Sequence, residues 1–154
     1  MSVARQRRGA RAGATALEFA LVAPAFLALL LGIMELGFLL YAQTALDYAA
    51  RQAARQMQTG RTARSAVGAG TFNTLVFCPY LTPFLDCSGV VVVLRPVSNY
   101  RTAMQTSVSF TASSVNAGQT GGLMLLQASY TPALPLWPLN VTRLVGTAAY
   151  LNEF

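Results

Sequence analysis

The hydrophobic and polar positions fall into three regimes along the chain. From Phe19 to Met34 no residue is charged, and with Glu35 as the single interruption the apolar run reaches Tyr41. Phe19 to Leu40 is 22 residues, about 33 Å of helix at 1.5 Å per residue, enough to cross a hydrocarbon core of about 30 Å. One transmembrane helix is predicted, with a mild kink at Pro24, which removes a backbone donor that membrane helices can spare. Beyond Tyr41 the spacing changes. Ala42, Ala45, Leu46, Ala49, Ala53 and Met57 share one helical stripe, while Gln43, Asp47, Arg51 and Arg55 share another. Asp47 and Arg51 are expected to pair at i,i+4. The helix thus continues beyond the apolar run as an amphipathic one and stops near Gly60, a glycine at the position of a C-terminal cap. Running from Ala14 to about Thr59, it would be on the order of 65 to 70 Å long. It reads as a stalk rather than as the core of a globule.

The third regime is punctuated by Gly, Ser, Thr and Pro. Gly89 to Pro96 ("GVVVVLRP") reads as a buried strand, and Ser107 to Thr111, Leu123 to Tyr130 and Thr142 to Leu151 read as further strands. Asn116 to Gly122 is a loop, and Thr131 to Pro138 is too rich in proline for a central strand. Arg61 to Phe77 is open between helix and coil. The expected fold is α+β: a long N-terminal helix, transmembrane and then amphipathic, with a small antiparallel sheet packed on the stripe of Ala42 to Met57.

Composition supports a single modest domain with a membrane segment: 154 residues, 54% hydrophobic and 10% charged. The net charge of +6 comes entirely from arginine, and four of the eleven (Arg5, Arg7, Arg8, Arg11) precede residue 12. Without that tail, seven arginines against five acids leave only +2. Arg51, Arg55, Arg61 and Arg64 are too thin a patch for a nucleic-acid footprint, so no nucleic-acid partner is expected. The chain contains no His, no GxSxG, no P-loop and no metal-ligand cluster, and the acids Asp47, Asp86 and Glu153 are scattered. Enzymatic activity, a cofactor, a metal and a small-molecule substrate are not expected.

Cys78 and Cys87 are the only cysteines, separated by eight residues that include two prolines. That loop can fold back on itself, and two thiols without histidine make a poor zinc set. A disulfide is favoured over free thiols in an oxidising compartment. Arg8 and Arg11 lie beside the apolar run whereas Arg51 is ten residues beyond it. This positions the N-terminus in the cytoplasm and the C-terminal part outside the inner membrane.

The junction of the basic tail and the apolar run, "RAGATALEFALVAP" (Arg11 to Pro24), holds an acid at Glu18. A cleaved secretory signal would have a shorter apolar core. Cutting after Gly13 instead would remove all four leading arginines and leave Ala14 as the N-terminus, with Glu18 fifth and Phe19 sixth. This pattern resembles the class III signal of type IV pilins and pseudopilins. The longer stretch from Gly13 to Gly60, with "EFALVAP" (Glu18 to Pro24), "GIMELG" (Gly32 to Gly37) and the Ala/Arg-rich Ala49 to Arg55, resembles the TadE-like family of minor pseudopilins of the tight-adherence, or Flp, pilus system. A sparser likeness returns in the tail, at Ala148, Ala149 and Glu153.

The resemblance implies a pilin-like architecture in four parts: a cytoplasmic leader (1–13), a transmembrane helix (14–41), its amphipathic extension (42–60) and an extracytoplasmic head (61–154). It implies processing between Gly13 and Ala14 by a prepilin peptidase. The implied partners are other pilin or pseudopilin subunits, an inner-membrane assembly platform and membrane lipid. Glu18 and Phe19 would carry register and recognition.

The physics of Glu18 agrees, because a charge in a bilayer costs about 3 kcal/mol or more and requires a partner. The freed ammonium of Ala14 would lie about 6 Å away along the axis on the same face, or a neighbouring subunit would supply its own. The plainer alternative has Glu18 snorkelling to the headgroups. Glu35, about 26 Å further along, falls near the opposite interface. There it reads first as an acid in interfacial water, and second as a contact for a basic group on a partner subunit. The rival to the whole scheme is a generic single-pass anchor with a β-rich binding domain, on which Tyr80, Phe84, Trp137 and Tyr150 could form a surface. As core residues of a small sheet they are better explained.

Overall fold

The computed structural model describes residues 3–60, 68–81, 85–105, 109–132 and 143–153. Its first element, α1, runs from Val3 to Gln58 without interruption and continues through Pro24. The helix therefore starts eleven residues earlier than Ala14. Seven of the eight residues from Ala4 to Arg11 are Ala, Arg or Gln, all good helix formers, and no proline stands before Ala14 to stop the helix. At the other end the turn closes as the sequence indicates. Thr59 N donates to Arg55 O at 3.0 Å and Gly60 N to Met57 O at 3.3 Å. Gly60 has φ +66°, the left-handed conformation that only glycine adopts without strain at a helix end.

Contacts divide the chain into two units. The first contains α1 as far as Phe38, and the second contains α1 from Leu39 together with the sheet. In the second unit the alanine stripe is the floor of the core. Ala42, Leu46, Ala49, Ala50 and Ala53 have no exposed surface. Leu46, Ala49, Ala50 and Ala53 pack in one cluster with Phe72, Val76 and Phe77 and with inward residues of the strands such as Val92, Leu94, Met124 and Leu126. Small side chains on the helix let the sheet come close, and the larger chains fill from the sheet side.

Four strands form the sheet, in the order β2-β1-β3-β4. β1 (Val90–Val97), β3 (Leu123–Tyr130) and β4 (Leu144–Leu151) are antiparallel neighbours, with Val92 opposite Ala128 and Leu126 opposite Ala148. The fourth, β2 (Ser114–Val115), pairs parallel to β1, so the sheet is mixed rather than purely antiparallel. The chain leaves β1, passes through the short helix α3 (Tyr100–Gln105) and returns in the same direction, which is how a crossover produces a parallel pair. The strand expected at Ser107 to Thr111 is displaced accordingly. Residues 109–112 are irregular, residues 106–108 lie outside the described residues, and the pairing falls on Ser114–Val115. Ser113 substitutes a side chain for a ladder bond, its Oγ accepting from Val92 N at 3.2 Å. Leu94 O accepts from Asn116 N at 2.9 Å.

β4 meets α1 almost backbone to backbone. A methyl group on Gly146 would lie 2.8 Å from the carbonyl carbon and oxygen of Leu46 and 3.1 Å from Asp47 N. The same approach lets Gln43 Nε2 donate to Val145 O at 2.9 Å. Gln43 also donates to Asp47 Oδ2 at 3.3 Å. Among the described residues Asp47 forms no ion pair with Arg51, which is exposed. The expected i,i+4 pair thus gives way to a neutral donor that the β4 contact already holds in place.

Part of the open segment Arg61 to Phe77 is helical: α2 (Ala69–Phe72) leads into a π-helical turn at Asn73–Phe77 and a 3-10 turn at Cys78–Tyr80. Cys78 and Cys87 are joined by a disulfide, with Cα atoms 5.8 Å apart. Asp86 caps the turn that follows, accepting from Ser88 N at 3.0 Å and Ser88 Oγ at 2.7 Å. These two bonds hold its exposed carboxyl below the ordinary value of 3.8. At the C-terminal end the buried Asn152 donates through Nδ2 to Ala117 O at 2.9 Å, tying down the loop of Asn116 to Gly122.

Candidate functional site

The residues singled out by the sequence lie on the N-terminal half of α1. In a folded protein an apolar helix is covered, yet here Leu17, Phe19, Leu21, Val22, Phe26, Leu29, Ile33 and Met34 all stand exposed, Phe19 by 74%. A water-soluble monomer rarely leaves so continuous an apolar surface open. The helix is long and apolar enough to cross a membrane, with a mean hydropathy of 2.3 over its most apolar window and none of that window buried. The shift from exposed to buried comes where the spacing predicts it, at Leu39 and Ala42.

Gly13 and Ala14 lie within α1, and Glu18 follows one turn later, exposed between the exposed Leu17 and Phe19. The carboxylate therefore projects from the same surface as the apolar side chains. In hydrocarbon that arrangement is costly unless a cation meets it.

Glu35 differs from the interfacial acid expected of it. It is only 7% exposed, and among the described residues neither carboxylate oxygen has a hydrogen-bond partner. Its flanking residues Met34 and Leu36 are exposed, whereas Leu39, four residues on, is buried. Glu35 thus falls on the covered stripe of α1 and not on the open one. Gly32 and Gly37 have nothing within 4 Å of where a Cβ would stand, so neither marks a close approach.

Tyr150 is buried and Tyr80 half-buried against the core, while Phe84 and Trp137 lie outside the described residues. Sequence reasoning gave no role to Gln43 and Gly146, which hold β4 to α1, or to Asn152, which ties down the loop of Asn116 to Gly122. Each acts through a backbone contact across long sequence separation, which leaves no local signature.

The family model described as TadE-like protein matches residues 13–55. The match opens on Gly13, takes in Glu18, Pro24 and Glu35, and ends on Arg55. It agrees with the family that the residues themselves resemble, and it suggests a component associated with the Tad pilus, structural rather than catalytic. No curated protein and no solved structure matches the chain.

Proposed function

We propose that this chain is a pseudopilin of a Flp (Tad) pilus or a related secretion machine, and that α1 serves it in two successive roles. Before assembly the exposed apolar half keeps the protein in the inner membrane, N-terminus in the cytoplasm and head outside. After a prepilin peptidase cuts between Gly13 and Ala14, the same surface packs beside other pilin subunits, delivered by the inner-membrane assembly platform. Gly13 is the poorest helix former near the junction, so α1 opens there at least cost for the peptidase. Glu18 and the ammonium of Ala14, within one subunit or between two, then set axial register. The head distinguishes this subunit from the main pilin.

The observation that carries this reading is the exposed apolar helix surface with a single acid one turn after Ala14, inside the family match. Mass spectrometry of the membrane form tests it. The wild-type chain should lack its first thirteen residues, and a Gly13→Arg variant should keep them. Equal, full-length masses for both would leave a generic single-pass anchor with a β-rich head as the better reading.

A further inference from the structure

On the surface of the second unit, the last two turns of α1 and Tyr80 enclose a cleft of about 270 Å³, lined by Gln52, Arg55, Gln56, Thr59 and Tyr80. Four of the five are polar and the fifth, Tyr80, carries a hydroxyl. Arg55 is exposed, and its guanidinium forms no hydrogen bond or ion pair with any described residue. Around it the donors are already arranged. Gln56 Nε2 donates to the Tyr80 hydroxyl oxygen, so the phenolic hydrogen is left to point elsewhere. The Tyr80 ring is braced edge-on by Tyr48, centroids 6.4 Å apart at 78°. Thr59 Oγ1 is occupied with the carbonyls of Arg55 and Gln56, at 3.0 and 3.2 Å. The cleft therefore presents one guanidinium fork, one phenolic donor and the Gln52 amide.

We infer that this cleft binds a single carboxylate, and that its natural occupant is an aspartate or glutamate side chain of a partner subunit. A guanidinium fork matches a carboxylate in two parallel hydrogen bonds. One formal positive charge balances one negative charge. A phosphate dianion fits less well, because the C-terminal carbonyls of α1 present a partial negative charge beneath the site that opposes a double charge more than a single one. The cleft lies below the usual size of a small-molecule pocket. The choice of a subunit as source rests on the assembly reading above; the carboxylate chemistry does not.

The test uses the full chain in detergent micelles, labelled with ¹⁵N and followed at the Arg55 Nε–Hε resonance. The probes are N-acetyl-glutamate α-amide, which has one side-chain carboxylate, its glutamine counterpart and inorganic phosphate. A saturable shift at millimolar concentration is expected with the carboxylate alone. Affinity should fall about tenfold or more in Arg55→Gln, and by a smaller factor in Tyr80→Phe. No saturable shift in the folded chain, an equal shift with the glutamine analogue, or tighter binding of phosphate would overturn the carboxylate assignment.

A second arm addresses the source. Arg55→Glu should abolish incorporation into the assembly while Ala14 still appears as the N-terminus, and incorporation should return with an Asp→Lys or Glu→Lys change in a partner subunit. Normal incorporation of Arg55→Glu would overturn the subunit assignment. Failure of processing in the wild type would instead count against the pseudopilin reading and leave the micelle titration unaffected.

Discussion

Gly146→Ala tests the contact on which the head depends. The new methyl carbon would meet Leu46 C and O at 2.8 Å and Asp47 N at 3.1 Å, all three of them backbone atoms of a helix that cannot swing aside. Ordinary carbon contacts lie at about 3.5–4.0 Å, so β4 must lift from α1 by roughly 0.7–1.2 Å. Lifting loosens the packing of Ala148 and Tyr150, which are buried beside it, and stretches the 2.9 Å bond from Gln43 to Val145. Overpacking of this kind costs about 1–3 kcal/mol and a part-buried hydrogen bond about 1 kcal/mol. Removing a glycine from the unfolded chain returns up to about 1 kcal/mol. The net expectation is a loss of about 2–3 kcal/mol.

Urea unfolding of the full chain in micelles, followed by tyrosine near-UV circular dichroism, measures the loss as a shift in midpoint at constant slope. Gly70→Ala is the matched control: it lies in α2 with nothing within 4 Å of its Cβ position, and its stability should equal that of wild type or exceed it by up to about 1 kcal/mol. A Gly146→Ala chain as stable as the control would show that β4 does not sit on Leu46, and the described packing of helix and sheet would be wrong.

Three further outcomes are expected. Glu18→Ala should insert into membranes normally yet be incorporated poorly into the assembly; normal incorporation, scored by recovery in purified pili, would remove its register role. Reducing the Cys78–Cys87 disulfide, or replacing both cysteines by serine, should cost about 2–3 kcal/mol for a loop of this length, read by the same urea titration; an unchanged midpoint would mean the loop is held by other contacts. Because hydrogen bonds from Ser88 lower the folded-state pKa of Asp86, its contribution to stability is fully present above the unfolded value near 3.8 and disappears as pH falls through the lower folded value. Asp86→Asn should flatten that acid limb, and identical acid unfolding curves would refute the cap.

The helix was legible in the sequence because both of its patterns are periodic. The uncharged run gave the exposed half, and the stripe through Ala42, Leu46, Ala49 and Ala53 gave the buried half. "VVVV" marked β1 because a strand covered on both faces needs no alternation, and Val92 and Val93 are indeed both buried. The displaced β2 was not legible: its two residues pair through tertiary position after α3, and β-propensity pointed a few residues upstream. Glu35 misled for a related reason. Counting 1.5 Å per residue gives its height along α1 but not which side of the helix is covered. The register between helix and sheet was equally out of reach, since it rests on the missing side chain of Gly146, and a glycine in a strand signals close approach without naming the partner.

The Gln43–Val145 bond joins residues 102 positions apart, and this separation orders events during biosynthesis. At translation rates of about 5–20 residues per second, the alanine stripe of α1 emerges some 5–20 seconds before the strand that covers it. Until then only the earlier-made side chains of Phe72, Phe77, β1 and β3 are there to cover the stripe, so a bilayer holding the preceding segment would serve as a tether while the sheet is completed.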